Sequence, residues 1–252
     1  MGEFVSGLLA FPFLFALGIG LAGGLMQGYT GWGAAMLMMP LMTLVYPPVE
    51  ALALLVVGGS LVSAQLYPSA VREFNWTDMR ILLLTLIFFT PIGSIILLST
   101  DPNLVRKIIG GVLVLVSILV LSGWQYRGKR GGLSTFLYGG VAGIINGFAG
   151  LGGPILAIYI TAFPGQASTQ RSNLIIANGL IIFTIMIIFS LNGTMAWSLI
   201  LTGILLAPTQ MIGASIGASI GARIFAYSPQ EYFKKITLLI ILILGVLVII
   251  FS

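Results

Sequence analysis

The chain has 252 residues, of which 58% are hydrophobic and 7% charged, against about 25% charged in an ordinary soluble domain. So little charge excludes a soluble domain, and a net charge of +5 on a membrane chain records orientation, with no nucleic-acid partner implied. The absence of cysteine excludes disulfides, thiolate metal sites and thiol catalysis.

Hydropathy, punctuated by proline, glycine and charge, divides the chain into eight apolar segments, six of them near the length a bilayer demands, roughly 20 residues, and the first of each half longer. Phe4–Tyr46 comes first, broken by glycines and closed by Pro47 and Pro48. It has no Lys/Arg-rich start and no clear cleavage site, so it reads as mature structure and not as a signal peptide. Ala51–Tyr67, Met79–Leu98 and Leu104–Trp124 complete a first repeat over residues 1–124. Residues 125–132, with Arg127, Lys129 and Arg130 among glycines, form a cytoplasmic linker. A second repeat, 133–252, holds Thr135–Phe163 (broken at Gly150–Pro154), Asn173–Leu191, Trp197–Arg223 and Phe233–Phe251.

The halves are duplicates. Gly20, Gly24, Gly28, Gly31 and Gly33 recur as Gly139, Gly143, Gly147, Gly150 and Gly152, a constant offset of 119 positions. Gln27 falls on Asn146, Tyr29 on Phe148, and Ala34 and Ala35 on Gly153 and Pro154. Trp76 and Trp197 both open a third segment, and Arg106-Lys107 and Lys234-Lys235 both open a fourth. A duplicated, glycine-interrupted apolar segment points to a transport site.

Two topologies are open. If all eight segments cross, the eleven Lys and Arg divide five against six between the faces, with no bias. If each broken first segment enters and returns as a re-entrant hairpin, each half crosses three times and the halves are inverted. Arg72, Arg80, Arg127, Lys129, Arg130, Arg171, Arg223, Lys234 and Lys235 then share one face, leaving Arg106 and Lys107 on the other. That asymmetry fits the positive-inside rule, and it places both termini outside. The fold expected is therefore an all-α membrane protein of inverted repeats.

Gly31-Trp32-Gly33 and Gly150-Leu151-Gly152-Gly153-Pro154 do not suit a continuous helix, because glycine costs about 1 kcal/mol there and proline more. A half-helix starting near Pro154 would expose unpaired N–H groups at the positive end of its dipole, an anion site needing no basic side chain. Two such ends, brought together by the duplication, would cradle a small oxyanion. Gln27 and Asn146 are close enough to contribute, or else cap helices and bond across an interface. Asn178 lies mid-segment, either as a substrate contact or as an interhelical bond. Thr209 and Gln210 follow a kink expected at Pro208. The stripes Gly20/Gly24/Gly28 and Gly139/Gly143/Gly147 read as close helix packing.

The chain has no histidine, and Glu3, Glu50, Glu73, Asp78, Asp101 and Glu231 fall at segment ends or in loops. A buried proton relay of the usual kind is thus missing, Glu50 being the nearest exception, and no Walker A loop is present. A potential negative inside drives an anion outward with about 2.3 kcal/mol per charge per 100 mV, so facilitated export suffices.

The motifs Gly28-Tyr29-Thr30-Gly31-Trp32-Gly33-Ala34 and Gly147-Phe148-Ala149-Gly150-Leu151-Gly152-Gly153-Pro154 resemble those of the sulfite exporter TauE/SafE family, and the likeness spans the chain. Pro91-Ile92-Gly93, Pro208 with Gly213, Gly217 and Gly221, and the basic pairs fit as well; Trp32 and Ala34 stand where the family more often has glycine. The resemblance implies export of sulfite, a sulfonate or a related sulfur anion across the bacterial inner (plasma) membrane. The expectation is a non-enzymatic transporter without cofactor or metal, working by alternating access. Its midplane site is expected to comprise Gln27, Tyr29, Thr30, Gly31, Gly33, Asn146, Gly150, Gly152, Gly153 and Asn178. A passive anion channel, or a carrier of another small organic anion, is the alternative. The partners expected are the anion and the lipid bilayer; homo-oligomerisation is left open.

Overall fold

The computed structural model describes residues 11–30, 33–124, 126–224 and 230–251. The first half contains α1 (Phe11–Thr30), α2 (Ala34–Met42), α3 (Pro48–Glu73), α4 (Trp76–Ser99) and α5 (Pro102–Leu121). The second contains α6 (Gly132–Ala149), α7 (Gly153–Thr161), α8 (Ala167–Leu191), α9 (Trp197–Ile224) and α10 (Gln230–Phe251). No strand occurs among the described residues. Among the described residues, seven helices, namely α1, α3, α4, α5, α6, α8 and α9, are long and apolar enough to cross a bilayer.

The helix starts follow local chemistry. Pro48 and Pro102 begin α3 and α5 at positions where a missing N–H costs nothing. Asn75 caps α4 by accepting the Asp78 N–H, and Asp101 caps α5 by accepting those of Asn103 and Leu104. Trp76 and Trp197, at the starts of α4 and α9, are both exposed, as interfacial tryptophans are.

Each glycine-broken segment is two helices. Gly33 (φ 94°) and Gly150 (φ 71°) adopt the left-handed conformation that side-chain-bearing residues avoid. These two glycines are not partners in the 119-residue register, so the two breaks differ in local detail. Both reverse the chain: Met38 of α2 lies against Gly23 of α1, and Gly152 lies against the carbonyl of Ala142 in α6. A straight helix would hold the first pair about 22 Å apart at 1.5 Å per residue.

The first helix of each half packs on the fourth helix of the other. Gly24 and Gly28 of α1 touch the backbone of Gln210 and Ala214 in α9, while Gly213 and Gly217 receive Leu21 and Leu25 in return. Gly143 and Gly147 of α6 touch Phe89 and Thr90 in α4, and Gly93 receives Ile144. In both pairs the residue numbers rise together, so the helices run parallel. The glycine stripes thus serve close backbone approach. The pair α5 and α10 runs the other way: Gly110 meets Ile249, and Gly245 meets Val114. Between these layers α3 crosses α8, with Tyr67 against Gly179 and Gly59 against Ile182. The short helices lie inside this frame. Met36, Met38, Met39 and Met42 of α2 and Leu156, Tyr159 and Ile160 of α7 are all buried.

Candidate functional site

The two chain reversals face one another across a cavity of about 90 Å³. Gln27, Gly33, Ala34 and Ala35 contribute from the first break; Asn146, Gly150, Gly153 and Pro154 contribute from the second. Leu52, Leu55, Val56 and Gly59 of α3 and Asn178, Ile181, Ile182 and Ile185 of α8 form the walls, and Gln210 enters from α9. Every described lining residue is uncharged. The volume accommodates several waters or one small anion with part of its hydration.

Two lining side chains are under-satisfied. Asn146 is 4% exposed and Gln210 3% exposed, and the Nδ2 of the first and the Nε2 of the second have no hydrogen-bond partner. Leaving such a buried donor unpaired costs about 1–3 kcal/mol; both nitrogens lie against glycines, Gly152 and Gly58, that are not on the cavity wall. The Asn146 amide is set by Gly152, whose missing side chain leaves it space; a Cβ there would lie 2.5 Å from Nδ2. Gln210 occupies the equivalent space over Gly58, where a Cβ would lie 2.6 Å from Nε2.

The helix ends supply the rest of the electrostatics. The N-termini of α2 and α7 are at the cavity, and their first N–H groups have no intrahelical acceptor. Pro154 occupies the first turn of α7, where it forfeits no helical hydrogen bond. At the far end of α2, the Arg106 Nε donates to the Thr43 carbonyl at 2.9 Å. Beyond α7, the Arg130 guanidinium sits 4.3 Å from the Phe163 ring centroid and pairs with Asp78. The Arg106 cation offsets the negative pole of α2, and the positive poles of both short helices face the cavity.

The structure thus gathers Gln27, Gly33, Asn146, Gly150, Gly153 and Asn178 from the expected set. Gly152 stands behind Asn146 and not on the wall. Gly31 lies outside the described residues, as do the side chains of Tyr29 and Thr30 at the end of α1. Asn173 has a structural task, accepting the Asn75 backbone N–H at 3.0 Å, whereas Asn178 of the same helix reaches the cavity. The Thr209 hydroxyl donates to the Leu206 carbonyl at 2.8 Å. Gln210 was legible only as a polar residue after Pro208, because nothing in the duplication pairs it with Asn146.

Helices of membrane-spanning length, with two broken segments meeting at one uncharged cavity, define a multi-pass membrane protein. The chain matches the sulfite exporter TauE/SafE family over residues 16–248, nearly its whole length, and belongs to that family. It is therefore assigned to a family of membrane transporters of sulfur anions, not of enzymes. No curated protein and no solved structure matches the chain.

Proposed function

We propose that the cavity between α2 and α7 binds a small sulfur oxyanion, sulfite or a sulfonate, and that the protein exports it by alternating access. The observation that carries this reading is the meeting of two helix N-termini with four amide side chains, those of Gln27, Asn146, Asn178 and Gln210, around one uncharged cavity. Donors without basic side chains hold an anion firmly enough for recognition, yet no fixed cation retains it. The binding set is Gln27, Gly33, Asn146, Gly150, Gly153 and Asn178, joined by Gln210. Tyr29, Thr30, Gly31 and Gly152 complete the proposed set from the two motifs.

The repeats, 1–124 and 133–252, are proposed to be inverted, with residues 125–132 as the cytoplasmic linker and both termini outside. The antiparallel run of α5 and α10 supports this, because equivalent helices run antiparallel when each half crosses an odd number of times. The reversals at Gly33 and Gly150–Gly152 support re-entrant hairpins. In a bacterial inner membrane, the negative interior drives the anion outward without a proton relay.

Flux of labelled sulfite in liposomes containing the purified protein, with and without an imposed potential, tests the reading. Saturable, potential-driven flux is the expected result. Flux linear in concentration and free of competition between analogues would instead make the protein a channel, and absence of flux for every sulfur anion would remove the substrate assignment.

A further inference from the structure

We infer that the site takes its substrate as a monoanion, so that sulfite is carried as bisulfite and the proton crosses with the substrate. This rests on the reading of the cavity as the transport site. It goes beyond that reading by fixing the charge of the species bound.

Three observations converge. First, no described lining residue carries a charge, so compensation comes from the helix poles. Each pole is worth at most about half an elementary charge. The N-termini of α2 and α7 therefore supply about one positive charge together, which balances a monoanion and leaves a dianion half uncompensated. The cost of burying charge in an apolar surround rises with its square, which makes that residue of charge decisive. The walls here are Leu52, Leu55, Val56, Ile181, Ile182 and Ile185.

Second, the side chains that meet the substrate are amides. Gln27, Asn146, Asn178 and Gln210 all line the cavity, and each amide carries both N–H donors and a carbonyl acceptor. A dianionic oxyanion offers acceptors only. A hydrogen-bearing monoanion offers both acceptors and a donor, and matches the amide chemistry group for group.

Third, among the described residues around the cavity there is no carboxylate and no basic residue, so a proton cannot be relayed by them to a dianion inside the site. The substrate brings its own. The sulfite–bisulfite equilibrium lies near neutral pH, and bisulfite is available on the cytoplasmic side without any enzyme. No bond is made or broken in the protein: bisulfite enters protonated and leaves protonated.

The test uses the full-length protein in liposomes, with a tenfold gradient of labelled sulfite, equal pH on both sides and the potential set by a potassium gradient with valinomycin. A carried monoanion reverses its net flux at about 59 mV, and a carried dianion at about half that value. Reversal near the first value is expected, with the rate at fixed total sulfite falling roughly tenfold per pH unit above neutrality. Methanesulfonate, a monoanion, should compete, whereas sulfate should not. Reversal near the lower value, or competition by sulfate, would overturn the inference while leaving the sulfur-anion transporter intact. Flux indifferent to potential would overturn it too, and no sulfite flux at any potential would remove both.

Discussion

The amide of Gln210 lies across the bare backbone of Gly58, with 2.6 Å separating its Nε2 from the position a Cβ would take. That one missing side chain on α3 allows a polar group from α9 to enter the cavity. Gly58→Ala should therefore push the amide aside without changing any polar atom of the site. Loss of a hydrogen bond to a charged ligand is worth about 1.5–3 kcal/mol. The half-saturation concentration for sulfite should rise roughly tenfold or more, measured as initial rates in liposomes. An unchanged value would show that Gln210 does not touch the substrate.

Asn146 separates stability from function. Its Nδ2 is buried and unpaired, so Asn146→Leu removes a group that destabilises the unliganded fold. Thermal unfolding in detergent should shift upward, or at least not fall, while sulfite affinity drops by about ten- to a hundredfold. A large loss of stability in this variant would mean that the amide is holding the fold together.

Two glycines of α1 make opposite demands. Gly28 has the backbone of Ala214 where a Cβ would go, whereas Gly18 has nothing within 4 Å. Gly28→Ala should force α1 away from α9 and cost about 1–3 kcal/mol, lowering the melting temperature by several degrees. Gly18→Ala should instead be neutral or stabilising, by up to about 1 kcal/mol from helix propensity. Equal effects at the two sites would contradict the packing described.

Gly150 couples conformation to the site. Its φ of 71° is strained for any other residue, and a Cβ would lie 3.2 Å from Leu52 Cδ1. Gly150→Ala should cost about 1–2 kcal/mol and displace the start of α7. Flux should fall with expression and membrane insertion retained, as read by fluorescence-detected size exclusion alongside the liposome assay.

Topology is accessible to chemistry, because the chain has no cysteine of its own. A cysteine at Asn192 should label from outside with an impermeant maleimide, and one at Lys129 should not. Both residues are exposed in the structure. Labelling of both from the same side would restore eight full crossings and reject the inverted arrangement.

What the sequence by itself determined was local. Hydropathy set the segments, Asn75, Asp101 and the prolines set their starts, and the repeated glycines marked where two of them break; each is a property of a few neighbouring residues. The duplication also announced that Gln27 and Asn146 have matched positions. Tertiary structure decided who meets whom. Offsets of 119 residues cannot say that α1 packs on α9 and α6 on α4, because that choice depends on glycine surfaces distant in the chain fitting one another. Gln210 joins Asn146 for the same reason: its place in the cavity comes from the closeness of α9 to Gly58, a contact between residues 152 positions apart. Gly152, expected on the wall, turned out to matter through the space it yields to Asn146. The number of charges the site can balance was likewise invisible until both helix ends were seen to share one uncharged cavity.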